Sequence, residues 1–270
     1  MIVFPNCKIN IGLDVIRRRP DGYHDIETVM YPVYGLYDSL EIIRNERGGT
    51  VFTTSGLPVG CDAVDNLVMR AYELLRSEYG IGAVRMHLHK NIPSGAGLGG
   101  GSSDAAFAVK ALDSLFGMEM TREKMESFCY SLGSDVPFFI RNTPQLCSGR
   151  GEIMTPVELD LTGKYIAVIN PGIHISTAEA YAGITTATAE SPLSERISSP
   201  IEEWTGKVEN TFEKTIFVKH PKIGMLKKSL YSCKALYALM TGSGSALYGI
   251  FENNPSCIST IYEDAFIMKI

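Results

Sequence analysis

The chain has 270 residues, of which 45% are hydrophobic and 20% charged, with a formal net charge of −5. That is the composition of a globular protein with one large domain or two ordinary ones, and the acidic balance excludes a protein that binds nucleic acid by its overall charge. No run approaches the roughly 18 apolar residues of a membrane span, and Met1 to Lys8 lacks the basic-then-apolar pattern of a secretion signal, so a cytoplasmic protein with no membrane partner is expected.

In chain order, Val3 to Val15 reads as a strand. Ile9, Ile11, Leu13 and Val15 share one face; Lys8, Asn10, Gly12 and Asp14 share the other. The polar face is either simply solvated, or it projects a lysine and an asparagine together at a ligand, with Gly12 leaving room beside them. Arg17-Arg18-Arg19-Pro20-Asp21-Gly22-Tyr23-His24 follows, with turn chemistry at Pro-Asp-Gly. Three arginines with an aromatic and a histidine suit an anionic ligand held by charge and stacking, or else form a solvated charge run. Alternation at Glu27 to Val33 and at Ser39 to Ile43 predicts strands, and Gly48-Gly49 predicts a hairpin turn into Val51 to Thr54. Asp65 or Asn66 can cap a helix containing Leu67, Ala71, Leu74 and Leu75.

The most informative stretch lies between a strand at Val84 to Lys90 and a helix carrying Ala105, Val109, Leu112 and Phe116, with Gly117 as its stop. It reads Pro93-Ser94-Gly95-Ala96-Gly97-Leu98-Gly99-Gly100-Gly101-Ser102-Ser103-Asp104. Glycine lets the backbone approach a ligand and take positive φ, and the first amides of the following helix have no partners inside it. Together they form a cradle for phosphate. Gly95-x-Gly97-x-x-Gly100 formally fits a dinucleotide fingerprint, but the strand before it alternates and Asp113 lies inside the helix, so that fold is disfavoured. The loop has no lysine and is not a Walker-type loop. His87 and His89 lie on the polar face of the preceding strand, where no third metal ligand is in view.

Thr121 caps a further helix with Met125, Phe128, Cys129 and Leu132 on its apolar stripe, ended by Gly133. Asp135 then stands in a loop before Val136-Pro137-Phe138-Phe139, a place that suits either a cleft-facing carboxylate or a local turn. Ile166 to Asn170 is a short strand, and Ser176 to Glu179 a capping box opening a helix through Tyr181. Residues 185–206 read as a long surface segment with one short helix near Trp204. A helix at Ile223 to Tyr231, strands at Ala235 to Met240 and Ala246 to Phe251 around Thr241-Gly242-Ser243-Gly244-Ser245, and a last helix at Ile258 to Phe266 suggest an α+β sandwich of the ferredoxin-like kind. The six cysteines, Cys7, Cys61, Cys129, Cys147, Cys233 and Cys257, are far apart and read as free thiols.

Three of these segments, in order, resemble the motifs of the small-molecule kinases named for galacto-, homoserine, mevalonate and phosphomevalonate kinases: the strand around Lys8, the loop Pro93 to Ser103, and the turn Thr241 to Ala246. The resemblance spans most of the chain. It implies an α+β fold of two domains, a ribosomal-protein-S5-like ATP-binding domain at residues 1–155 and a ferredoxin-like α/β sandwich at 156–270, with the active site in the cleft between them. Lys8-Ile9-Asn10, Arg19 to His24, Gly97 to Ser103 and Asp135 to Phe139 are similar to the branch that phosphorylates, with ATP, the tertiary 2-hydroxyl of a cytidine-diphosphate-linked methylerythritol in the non-mevalonate route to isoprenoid precursors.

That resemblance implies roles. Asp135 accepts the hydroxyl proton, and Lys8 beside it keeps it ionised and stabilises the transferring phosphoryl group. Asn10 contacts the substrate; Tyr23 and His24 hold the cytosine; Thr177 and Tyr181 line the substrate side. Pro93 to Ser103 wraps the triphosphate, with Lys90 and Leu67 near the adenine. Mg²⁺ accompanies ATP, with Ser103 as its implied ligand. A lysine beside a carboxylate lowers its pKa, which suits an orienting role as much as a general base. The partner is a small molecule, with monomer and homodimer both open. Two other readings stand: an alcohol kinase of the homoserine or mevalonate type, whose substrate has no base for Tyr23 and His24 to stack, and a nucleotide-binding module without catalysis, which has no use for Lys8 and Asp135.

Overall fold

The computed structural model describes residues 1–184 and 191–270. The chain divides into two units, and neither is one continuous segment: Met1–Lys8, Tyr34–Ser94 and Gly99–Thr143 form the first, and Ile9–Val33, Gly95–Leu98 and Pro144–Ile270 the second. The boundaries after Lys8 and after Val33 each fall within a strand, which linear patterning does not reveal.

In the first unit, a four-stranded sheet has the order β1 (Ile2–Val3), β4 (Ser39–Arg44), β6 (Val84–Lys90), β5 (Val51–Gly56). The long strands β2 (Asn6–Arg18) and β3 (His24–Tyr37) lie between β1 and β4 in sequence. β4 pairs with β6 antiparallel, whereas β5 pairs with β6 in parallel. Gly48-Gly49 is thus not the turn of a β4–β5 hairpin; β5 instead reaches β6 through helix α1 (Leu67–Tyr79), a crossover that parallel strands require. Asn66 caps α1, its Oδ1 accepting from the Val68 N–H at 2.9 Å. Helices α2 (Gly100–Phe116), α3 (Arg122–Leu132) and α4 (Phe138–Arg141) complete the unit. The Phe138-Phe139 run lies in a helical turn, and both rings are buried.

Strand β6 alternates fully, with Val84, Met86, Leu88 and Lys90 buried and Arg85, His87 and His89 exposed. The histidines join a hydroxyl ladder on β5: His87 Nδ1 lies 2.8 Å from Thr53 Oγ1 and His89 Nδ1 2.8 Å from Ser55 Oγ. Lys90, on the apolar parity, is paired inside. Its Nζ donates to Asp38 Oδ2, and to Asp104 Oδ2 at 2.7 Å. Burial pushes the Asp104 carboxyl up to about 8, with Lys90 pulling it down and Asp38 pushing it further up.

The second unit holds two sheets. In one, β2 and β3 continue and are followed in order by β7 (Gln145–Ser148) and β8 (Ile153–Pro156). The expected polar face of β2 is not solvated: Asn10 and Asp14 are buried, the latter against Arg196. The other sheet contains β9 (Tyr165–Ile169), followed in sequence by α5 (Thr177–Tyr181), α6 (Leu193–Arg196), α7 (Glu213–Lys219), α8 (Pro221–Ser232), β10 (Tyr237–Met240), β11 (Leu247–Phe251), α9 (Ser256–Ile261) and β12 (Phe266–Lys269). Its order, β10-β11-β9-β12, is antiparallel throughout. This is the ferredoxin-like βαββαβ arrangement. Its core joins Ile169, Ile223, Leu230, Met240, Phe251 and Ile258. The last helix stops at Ile261, and Phe266, expected to be helical, begins the edge strand β12.

The expected long surface segment at 185–206 lies outside the described residues from 185 to 190. From 191 onward it is well packed: Leu193, Ile197 and Trp204 are buried, and the indole N–H donates to the Ser199 carbonyl at 2.9 Å. Cys233 and Cys257 form a disulfide with Cα atoms 6.1 Å apart, in place of two of the expected free thiols. Among the described residues, no helix is long and apolar enough to cross a membrane.

Asn66→Ala is expected to cost about 1 kcal/mol of stability in urea denaturation, the usual worth of such a cap. A second outcome follows from Asp104. A carboxyl whose folded pKa of about 8 lies above its unfolded value near 3.8 binds more protons in the folded state across that interval. Its stabilisation is complete below the unfolded value and is lost as pH rises through the folded one. Denaturation at a series of pH values is therefore expected to show the wild type losing stability relative to Asp104→Asn as pH rises over that window.

Candidate active site

The glycine loop is assembled from both ends. It leaves β6 at Lys90, and α2 begins at Gly100 with Gly99 as its cap at φ +72°. The Ser103 N–H closes the first helical bond onto the Gly99 carbonyl at 2.9 Å. The N–H groups of Gly100, Gly101 and Ser102 precede that bond, at the positive end of the helix.

In the first unit, Gly99 lies against the lysine stem: a Cβ placed there would come 3.0 Å from Lys8 Cγ and 3.0 Å from Phe139 Cζ. Lys8 Nζ stands 3.6 Å from Asp135 Oδ2, the lysine side chain 3% exposed and the aspartate 34%. Asp135 occupies the turn between α3 and α4, where Ser134 Oγ approaches its Oδ1 at 3.4 Å. A buried cation thus faces a carboxylate that is open on its other side. Leu67, the first residue of α1, approaches the same loop, with Cδ1 3.8 Å from where a Gly101 Cβ would be. Two expected site residues stand differently. The Lys90 ammonium is occupied by Asp38 and Asp104 and is not presented to a ligand. The Ser103 hydroxyl is enclosed on the packed side of α2 with no hydrogen-bond partner, whereas Ser102 beside it is half-exposed. The helix turn rotates consecutive side chains apart, so only one of the two serines can face out of the loop.

In the second unit, Gly95–Leu98 rests on the turn Thr241–Gly244. Gly97 has φ +86°, and a Cβ there would fall 2.0 Å from the Thr241 carbonyl oxygen. The Thr241 hydroxyl reaches the Gly97 carbonyl at 3.2 Å and Asn10 Oδ1 at 3.3 Å, and Asn10 Nδ2 donates to Thr28 Oγ1 at 3.0 Å. Asn10 is thus a strut tying β2 to the C-terminal glycine turn. Tyr23 is exposed, with the Arg150 guanidinium 3.6 Å over its ring. His24 does not join it; its ring stacks on Tyr181 at 4.6 Å with an interplanar angle of 24°. Tyr181 meets Phe212 edge-on, and Thr177 is exposed at the start of α5. Arg17 and Arg19 are held by Asp25.

Thr28, Asp38 and Asp104 were missed by sequence reasoning. Each is a polar residue at a buried position of a strand or helix, and parity marks such places without naming their partners. Arg150 lies between Gly149 and Gly151, and nothing in the local pattern ties it to Tyr23.

Comparison with known proteins gives these residues their context. Residues 66–143 match the GHMP kinases N terminal domain, and residues 201–257 the GHMP kinases C terminal domain. A 4-diphosphocytidyl-2-C-methyl-D-erythritol kinase of Azobacteroides pseudotrichonymphae is 48% identical over 93% of this chain and 94% of its own length. One from Parabacteroides distasonis is 45% identical over 100% of this chain and 98% of its own. The crystal structure of a 4-(cytidine 5'-diphospho)-2C-methyl-D-erythritol kinase superposes with a TM-score of 0.83 at 29% identity, covering 99% of this chain and 98% of that one. The chain is an ATP-dependent small-molecule kinase of the GHMP class and belongs to the 4-diphosphocytidyl-2-C-methyl-D-erythritol kinase family.

Proposed function

We propose that this kinase transfers the γ-phosphoryl group of ATP to the 2-hydroxyl of 4-diphosphocytidyl-2-C-methyl-D-erythritol, a step of non-mevalonate isoprenoid synthesis in the cytoplasm. The observation that carries the chemistry is the Lys8–Asp135 pair beside Gly99. The names of the relatives support the substrate, which Tyr23 fits: its ring has one face under Arg150 and is otherwise exposed, so a cytosine has an aromatic surface to stack on.

Phosphoryl transfer asks mainly for positioning and charge stabilisation. In this reading the amides of Gly100, Gly101 and Ser102 hold phosphate oxygens. Asp135 orients the acceptor hydroxyl and takes its proton, and Lys8 stabilises charge on the phosphoryl group in transit. Lys8 is suited to this because its stem is packed by the loop, so its ammonium is already placed when the substrate arrives. Asn10 acts on the substrate through the geometry of β2 and the Thr241 turn. His24 and Tyr181 provide a stacked wall, with Thr177 at its rim. Leu67 offers an apolar contact for the base of the nucleotide.

Mg²⁺ fits the residues present in a limited way. It keeps most of its ligands as water and phosphate oxygens, so a carboxylate cage is not required. Of the two serines that open α2, the half-exposed Ser102 presents its hydroxyl to such an ion in preference to the enclosed Ser103. Bound there, the ion would offset the charge of the triphosphate.

Lys8→Met and Asp135→Asn are each expected to lower turnover by about 10² to 10⁴-fold, the usual range for a lost charge-stabilising or proton-transfer group, with ATP binding largely retained. A coupled ADP-release assay with the cytidyl alcohol, beside equilibrium nucleotide binding, checks this. Wild-type turnover in Asp135→Asn would contradict the role of the carboxylate. Turnover of homoserine or mevalonate, with none of the cytidyl alcohol, would contradict the substrate.

A further inference from the structure

Beneath the glycine loop, and apart from the groups placed at the reaction, lies the buried cluster Asp38–Lys90–Asp104. Its three side chains are 0%, 1% and 3% exposed. The one ammonium ties together the two ends of the loop. On the strand side, Asp38 Oδ1 accepts the N–H groups of Asn91 at 2.6 Å and Ile92 at 2.8 Å, the first two residues after β6, while its Oδ2 accepts from Lys90. On the helix side, Asp104 in the second turn of α2 accepts from the same Nζ at 2.7 Å. Nζ also lies 3.3 Å from where a Gly100 Cβ would stand, directly under the first residue of the helix. A Cβ there would meet Ile92 Cγ2 at 2.8 Å as well, so the absence of a side chain at Gly100 is what lets the cluster close.

We propose that Asp38, Lys90 and Asp104 are positioning residues for the nucleotide: by fixing the start of the loop to the start of α2, they set the spacing of the amides that receive the phosphates. The inference rests on the reading of this loop as the triphosphate cradle. A buried volume of this size is filled at lower cost by apolar side chains, since desolvating three ionisable groups is expensive. What the charged cluster adds is direction, because each hydrogen bond fixes a donor and an acceptor to a particular backbone segment.

The test uses the full-length enzyme with ATP and the cytidyl alcohol. Lys90→Met/Asp38→Asn removes the buried cation together with the carboxylate that balances it, and keeps an oxygen for the Asn91 and Ile92 N–H groups. It is expected to unfold at or above the wild-type temperature, yet to raise KM for ATP roughly tenfold, with KM for the alcohol within about twofold. Asp104→Leu alone is expected to raise KM for ATP, and Asp104→Asn, which keeps an oxygen for Lys90, to restore most of that loss. A double variant that is folded and has wild-type KM for ATP would overturn the proposal, as would equal losses for ATP and alcohol. Amide NMR of the wild type separates this failure from that of the parent reading. ATP is expected to shift the Gly99, Gly100 and Gly101 amides. If it leaves them unmoved, the loop is not the cradle. If it moves them and the double variant binds ATP normally, only the positioning role falls.

Discussion

One buried ammonium constrains much of the first unit. Lys90 ends one of the two inner strands of its sheet, and its charge must be met inside the fold because the side chain is only 1% exposed. Asp38 and Asp104 meet it, and the geometry they demand propagates outward. The loop must turn immediately after β6, α2 must start with a residue lacking a side chain, and the end of β5 must fit against the Lys90 backbone. That last demand is visible at Gly56, where a Cβ would lie 2.3 Å from the Lys90 carbonyl oxygen. The glycines around this point answer particular collisions.

The two buried lysines of this unit divide the work. Lys90 is neutralised on two sides and shapes the backbone. Lys8 is equally buried along its stem, but its ammonium faces Asp135, a carboxylate with a third of its surface open. An anion arriving at such a pair finds positive charge already in place, and an acceptor hydroxyl finds an oxygen to bond. In the proposed reading, a loop without a lysine of its own serves a phosphate because the charge comes from a strand distant in sequence, while the loop contributes amides and a helix end.

Much of this was legible in the sequence, for reasons that can be named. The caps at Asn66, Thr121 and Ser176 read correctly because capping is local chemistry. The ferredoxin-like order read correctly up to its last strand because helical and strand periodicities differ. β12 was lost because Phe266 continues the apolar spacing of α9, and an edge strand of four residues has little alternation to show. The hairpin at Gly48-Gly49 was misread because a glycine pair marks a turn without saying which strand the chain next joins. Lys8 and Asp135 were found together only through resemblance to a family; no spacing rule links residues so far apart. Lys90 carried a signal that was available: positions 84, 86 and 88 are apolar, and parity puts 90 with them. A charged residue on the buried parity asks for a partner, and a partner cannot be read from one chain in one dimension. The same limit hid the stacking of His24 on Tyr181 and the cover of Arg150 over Tyr23.

The central claim is that the chain phosphorylates one tertiary hydroxyl of a cytidyl alcohol. The most direct measurement follows that alcohol by ³¹P and ¹³C NMR with ATP and the purified enzyme. The account requires a single new phosphomonoester signal coupled to C2, appearing with the wild type and absent over the same time with Asp135→Asn. A phosphate on another hydroxyl, or ATP consumed with the alcohol unchanged, would contradict it.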